Sequence, residues 1–99
     1  MMLVWLRRAL ADRDAQLDYI AQDSPRAAIE QGDRIAHQVG QLVQHPEMGR
    51  AGRKLGTREL VISHTPFIMI YRIKGKRIDL LRVLHGAQQW PSPKAKIGK

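Results

Sequence analysis

His85 closes a strand-like run, Arg77 to His85, and Arg58, Arg72 and Arg82 fall on this run or on the two before it. An imidazole that titrates near 6.5 can give or take a proton at neutral pH. A guanidinium can stabilise negative charge that develops in a transition state. These four residues are the candidates for catalysis only if the chain cleaves nucleic acid. Arg50, Arg53 and Lys54, with Arg58 just beyond, form a second cluster interleaved with Gly49, Gly52 and Gly56. A Gly-rich basic loop can wrap a phosphate with its backbone N–H groups. The Walker spacing is absent, however, and no helix is expected after the loop, so a flexible connection competes with this reading. Trp90 can stack on a base or anchor the chain end onto the core. Arg50, Arg53, Lys54, Arg58 and Trp90 are thus the binding candidates. The ordinary roles are clear: a strand-end His bonds backbone, and sheet arginines pair with carboxylates such as Glu59 and Asp79. There is no Cys, and His37, His45 and His64 show no ligand spacing, so neither a metal site nor a cofactor is expected.

Three consecutive strands must position these groups. Phe67-Ile68-Met69-Ile70-Tyr71 is an unbroken apolar and aromatic run, which suits a central strand covered on both faces. More mixed runs flank it: Gly56 to Ile62, and Arg77 to His85. His64-Thr65-Pro66 and Lys74-Gly75-Lys76 separate the three, so they should form antiparallel hairpins. Strict alternation on the last strand puts Ile78, Leu80, Arg82 and Leu84 on one face and Asp79, Leu81, Val83 and His85 on the other, unless a bulge intervenes.

The N-terminal half should cover this meander. Met2 to Leu6 reads as a first strand at the sheet edge. Leu6, Leu10, Leu17, Ile20 and Ala21 line one face of a helix predicted over 8–22, with Asp12, Asp14, Gln16 and Asp18 mostly off it. Ser24-Pro25 is a strong helix start, Ser as N-cap and Pro at the first helical position. Ala28, Gly32, Ile35, Val39 and Leu42 form the stripe of a second helix that should end near His45, ahead of Pro46. Gly32 would let the first helix approach closely. The sequence thus predicts an α+β fold: an N-terminal strand and an antiparallel helical hairpin packed on a three- to four-stranded, mainly antiparallel sheet. One domain is expected over 1–91, with Trp5 and Tyr71 in its core. A basic, disordered tail is expected over 92–99.

Charge is segregated. Residues 1–49 carry five Arg against seven Asp or Glu, a net of −2, and residues 50–99 carry twelve Lys or Arg against Glu59 and Asp79, a net of +10. A basic half of this kind attracts nucleic acid or an acidic protein segment. The apolar runs are far too short for a membrane span and no signal-peptide pattern opens the chain, so a soluble cytoplasmic protein is expected.

Several strings, taken together and in order, carry a family resemblance: Tyr19-Ile20-Ala21 with Ser24-Pro25 and Ala27-Ala28; Pro46-Glu47-Met48-Gly49-Arg50; Gly56-Thr57-Arg58-Glu59-Leu60-Val61; Phe67 to Arg72; and Arg82-Val83-Leu84-His85-Gly86-Ala87-Gln88-Gln89-Trp90-Pro91. Over residues 2 to 91 the chain resembles the RelE/ParE superfamily, toxins of bacterial type II toxin–antitoxin modules associated with growth inhibition and plasmid stabilisation. The resemblance implies a helical hairpin on an antiparallel sheet and a cognate antitoxin that wraps it. It also implies one of two targets. RelE-type members are mRNA interferases: they cut mRNA on the ribosome without a metal, and His85, Arg58, Arg72 and Arg82 would then be the catalytic set. ParE-type members inhibit DNA gyrase and lack such a set. Many RelE-type toxins carry an Arg near the start of the central strand. Ile68 occupies that position here, and an aliphatic side chain cannot stabilise a phosphorane. This departure favours the ParE-like branch.

Overall fold

A computed structural model of the chain describes residues 1–86. The central strand is β4, Phe67–Lys74, and it lies in the middle of a five-stranded sheet of order β1-β5-β4-β3-β2. Its neighbours are β3, Arg58–Val61, and β5, Arg77–His85, both antiparallel to it. β1, Met2–Trp5, adds to β5 in parallel, with Leu3 beside Ile78 and Trp5 beside Leu80. The turn from β4 to β5 places Gly75 at φ +62°, a conformation that suits a residue without Cβ.

The fold class is as expected, with one strand more. β2, Arg50–Ala51, arises inside the segment expected to be loop and pairs with Glu59 and Arg58. Gly52 N–H then donates to Thr57 C=O at 2.8 Å, closing a hairpin. Two residues with no apolar pattern give no strand signal in sequence; partner geometry makes the strand.

The helical layer is α1, Arg7–Asp23, and α2, Pro25–Gly40. Ser24 joins them. Its backbone N–H closes α1 on Ile20 C=O at 2.9 Å, and its Oγ accepts from Ala27 N–H at 3.1 Å to cap α2. α2 gives way at Gly40 to a 3₁₀ turn, Gln41–Val43, earlier than Pro46 alone would require. A glycine costs helix stability at that point.

The core lies between the two layers. Ala9, Ile35, Val39 and Leu42 meet Leu60, Ile62, Phe67, Met69, Tyr71, Ile78, Leu80 and Val83, with Leu17 and Ile20 packed at its margin. The α2 stripe is as the spacing predicts. On α1 the fully buried residue is Ala9, outside the predicted stripe, where a small side chain lets the helix sit down on β5. At Gly32 an added Cβ would stand 3.3 Å from Leu17 Cδ1, so the expected close approach of the helices is present.

Strict alternation fails on β5. The register with β4 shifts between Ile70 and Tyr71: Tyr71 faces Leu80, but Ile70 faces Arg82. Leu81 is the extra residue of a β-bulge. Val83 therefore rejoins Ile78 and Leu80 in the core, rather than lying opposite them. No helix among the described residues is long and apolar enough to cross a membrane.

Candidate functional site

The sheet face away from the helices is built on two buried carboxylates. Ile70 and Arg72 alternate with the core residues Met69 and Tyr71, so they point to this second face. Cross-strand register brings Glu59 beside Ile70, Arg50 beside Glu59, and Asp79 beside Arg72. Glu59 is 2% exposed and Asp79 1%. Each carboxylate holds two arginines. Glu59 Oε1 accepts from Arg50 Nη2 at 3.1 Å, and Oε2 accepts from both Arg53 Nε and Arg53 backbone N–H at 3.0 Å. Asp79 Oδ2 accepts from Arg72 Nε at 2.9 Å, and Oδ1 accepts from Arg77 Nε at 2.7 Å.

These contacts set the protonation of both acids. Burial pushes the Glu59 carboxyl up, but the hydrogen bonds from Arg53 and Arg50 outweigh it and hold the group below its ordinary range. The Arg77 hydrogen bond dominates at Asp79, and with Arg72 it overcomes burial and holds that carboxyl low as well. Both acids are ionised at neutral pH, and their arginines are fixed at one end. Of the sheet arginines Arg58, Arg72 and Arg82, Arg72 takes the ordinary role the sequence suggested, pairing with Asp79, whereas the other partners of the two acids are Arg50, Arg53 and Arg77.

The basic loop is fastened rather than slack. Tyr71 lies in the core, and its hydroxyl donates to Pro46 C=O at 2.7 Å and accepts from Gly49 N–H at 2.9 Å. Burial pushes the Tyr71 phenol up, so it stays protonated and able to donate. Arg58 donates to Gly49 C=O at 2.8 Å from the neighbouring strand. A Cβ on Gly49 would stand 2.7 Å from the Tyr71 hydroxyl, so only glycine fits. Lys54 sits at the hairpin tip, where its C=O accepts from Thr57 N–H and Oγ1.

The four catalytic candidates do not converge. Arg82 turns to α1 and pairs with Asp12 at 2.7 Å. Arg72 is held by Asp79, and Arg58 by the loop carbonyls. His85 pairs with Phe67 across the strands, and their rings meet edge to face at 6.3 Å between centroids. His85 also lines a groove with Ala15, Gln16, Tyr19, Ile20, Gln31 and Pro66, at the opposite end of β4 from Arg58. His85 and Arg58 are two inter-strand steps and four residues of β4 apart, which puts their backbones roughly 17 Å from each other. Arg50 and Arg53 share Glu59, so the structure brings together two of the five binding candidates. Trp90 and the tail lie outside the described residues. Asp12 was legible only as a solvent-facing helix residue; a partner 70 positions away leaves no local signal.

The family model described as the ParE toxin of the type II toxin-antitoxin system parDE matches residues 3–90. The chain is 42% identical over 87 residues to Y4kP of Sinorhizobium fredii, which bears a toxin name, covering 88% of this chain and 90% of that protein. It is 36% identical over 86 residues to Toxin RelE2 of Caulobacter vibrioides, covering 87% and 96%. Among solved structures it superimposes on a chain of the chromosomal ParDE system from P. aeruginosa with a TM-score of 0.77 and 36% identity, covering 86% of this chain and 95% of that one.

Proposed function

This chain belongs to the ParE toxin family of type II toxin–antitoxin systems, and we propose that it arrests growth by ParE-type inhibition of DNA gyrase in the cytoplasm. As a toxin of such a module it has a cognate antitoxin as its partner. The observation that carries the gyrase reading is the dispersal of the would-be catalytic groups. Cleavage of RNA needs a base, an acid and positive charge around one phosphate, within hydrogen-bond reach of it. Here Arg82 is tied to Asp12 on α1, Arg58 is tied to the loop carbonyls, and His85 stands at the opposite end of β4 from Arg58. Ile68, where a RelE-type toxin would carry an Arg, lies between Val61 and Leu84 in the sheet. A protein that acts by binding needs no such convergence. The direct test is purified gyrase with relaxed plasmid: the chain should block supercoiling or trap cleaved DNA.

A second reading has its own support. A relative that bears the RelE2 name is 36% identical, and His85 lies on a groove at an exposed strand end. In that reading the chain is a ribosome-dependent mRNA interferase with His85 as general acid or base. Codon-phased cuts in ribosome-bound mRNA, with supercoiling untouched, would replace the gyrase assignment.

A further inference from the structure

We infer that the face built on Glu59 and Asp79 is a DNA-backbone contact, sequence-independent, in which Arg50, Arg53, Arg72 and Arg77 receive phosphates. The geometry is unusual for a set of ion pairs. Three of the four arginines reach their carboxylate through Nε at 3.0 Å or less, from the stem side of the guanidinium. Arg53 and Arg72 use only Nε on the buried acid among their side-chain nitrogens, and Arg77 adds Nη2 to Asp79 at 3.4 Å. The side chains keep 60%, 46%, 43% and 42% exposure for Arg50, Arg53, Arg72 and Arg77, while the two acids keep 1% and 2%. The acids are thus sunk beneath a layer of open guanidinium forks. Four cations over two anions leave a surplus of two positive charges, and Lys74 extends it from the same face of β4, two residues beyond Arg72.

The arrangement fits phosphodiesters for two reasons. Anchoring at Nε removes side-chain freedom from Arg53, Arg72 and Arg77 before any ligand arrives, so planar forks are presented ready for bidentate phosphate contacts, and Arg50, held through Nη2, adds an exposed charge beside them. The spacing also suits a duplex. Glu59 and Asp79 are two inter-strand steps and one side-chain repeat apart, roughly 12 Å, which is the scale of a groove between two phosphate backbones. An acidic peptide would take charge from the same face, but peptide recognition also uses apolar pockets for anchor side chains. Grooves with apolar lining lie elsewhere, along the helical hairpin, at His45–Met48 and beneath the β2–β3 hairpin.

The inference rests on the gyrase reading for its setting, since the toxin would there meet DNA held by the enzyme, but its test contains no gyrase. Anisotropy of a short fluorescein-labelled duplex of arbitrary sequence is measured against the full chain over a salt series. The paired variant Arg50→Gln/Arg72→Gln leaves one arginine on each carboxylate. It should weaken binding about tenfold or more and reduce the slope of log affinity against log salt by roughly two. Arg7→Gln/Arg26→Gln removes the same charge from exposed helical positions and should leave the slope within experimental scatter. Arg50→Lys/Arg72→Lys keeps the charge without the fork. It should lose affinity at an unchanged melting temperature, so the inference stays testable where the Gln pair folds poorly. Equal losses in the two Gln pairs, or no binding by the native chain, overturns the inference. So does loss of antitoxin binding in the Gln pair with duplex affinity intact, which would assign the face to an acidic protein. Supercoiling assays on the same preparations separate the claims. Inhibition without duplex binding sinks only the DNA contact, and duplex binding without inhibition sinks only the gyrase reading.

Discussion

Asp12 and Arg82 form an ion-paired tie between the helical layer and the last strand, beside the hydrogen bond from Gln16 Nε2 to Val83 C=O at 2.7 Å. Arg82 Nε donates to Asp12 Oδ2 at 2.7 Å and Nη2 donates to Oδ1 at 3.2 Å, while Val83 N–H donates to Oδ2 at 2.9 Å. The tie lies directly after the bulge at Leu81, where the β4–β5 ladder is interrupted. Asp12 thus accepts a backbone N–H just past the interruption and neutralises the guanidinium beside it. Both side chains are 15% exposed, so the pair is only lightly screened by solvent.

Truncating that tie should be costly. Asp12→Ala removes the carboxylate that a poorly solvated guanidinium and the Val83 N–H share, and the loss should be about 2–4 kcal/mol. Asp12→Asn keeps one acceptor and should lose less. Urea titration by circular dichroism measures both, and a change below about 0.5 kcal/mol in the Ala variant would refute the role.

The contrast between this tie and the rest of the fold explains what a sequence can carry. The α2 stripe, the Ser24 cap and the central placement of Phe67–Tyr71 each rest on a local period or a local residue preference, so they were legible. The bulge at Leu81, the two-residue strand at Arg50–Ala51 and the partner of Asp12 depend on residues far along the chain. Site residues follow the same division. Glu59 and Asp79 were readable as partners for sheet arginines because they are the only acids in a basic half. Which arginine each acid takes is set by register, and the bulge resets register on β5.

Acid should destabilise the protein through Glu59 and Asp79. Both carboxyls titrate below their ordinary values of 4.5 and 3.8 when folded. The unfolded chain therefore binds protons first as pH falls. Their contribution is fully present above those ordinary values and is lost as pH drops through the lower folded ones. Stability should fall steeply below about pH 4. In Asp79→Asn the protein should be weaker at neutral pH and its acid limb flatter. A native-like acid limb in that variant would remove Asp79 from the account.

Tyr71 should govern the order of the basic loop. Tyr71→Phe keeps the ring in the core but strands Pro46 C=O and Gly49 N–H, both of which the hydroxyl now satisfies. The expected loss is about 1–3 kcal/mol. Hydrogen exchange should quicken at Gly49 while Met69 in the sheet stays protected. Gly49→Ala should be worse, because its Cβ would also stand 2.9 Å from Glu59 C=O. Unchanged exchange at Gly49 in Tyr71→Phe would mean that Arg58 and the β2–β3 pairing hold the loop without the Tyr71 hydroxyl.

His85 decides between the two targets by a single side chain. An imidazole acting as general acid or base in RNA cleavage supplies about 10²–10⁴-fold in rate, so both His85→Ala and His85→Gln would abolish toxicity in an interferase. A gyrase inhibitor transfers no proton. There His85 contributes its edge contact with Phe67 and its share of the groove beside Tyr19. His85→Gln, which keeps hydrogen-bonding capacity but does not titrate near neutrality, should retain toxicity. His85→Ala should lose part of it, in proportion to lost affinity or stability, because the position is exposed and tolerates truncation. Induced cells carrying either variant should still lose normal DNA topology before transcripts fragment. The measurement is growth after induction, paired with melting temperature and antitoxin binding for each purified variant. Full loss of toxicity in both, with folding and antitoxin binding intact, would overturn the gyrase reading and leave His85 as the residue around which an RNA-cleaving site must be sought.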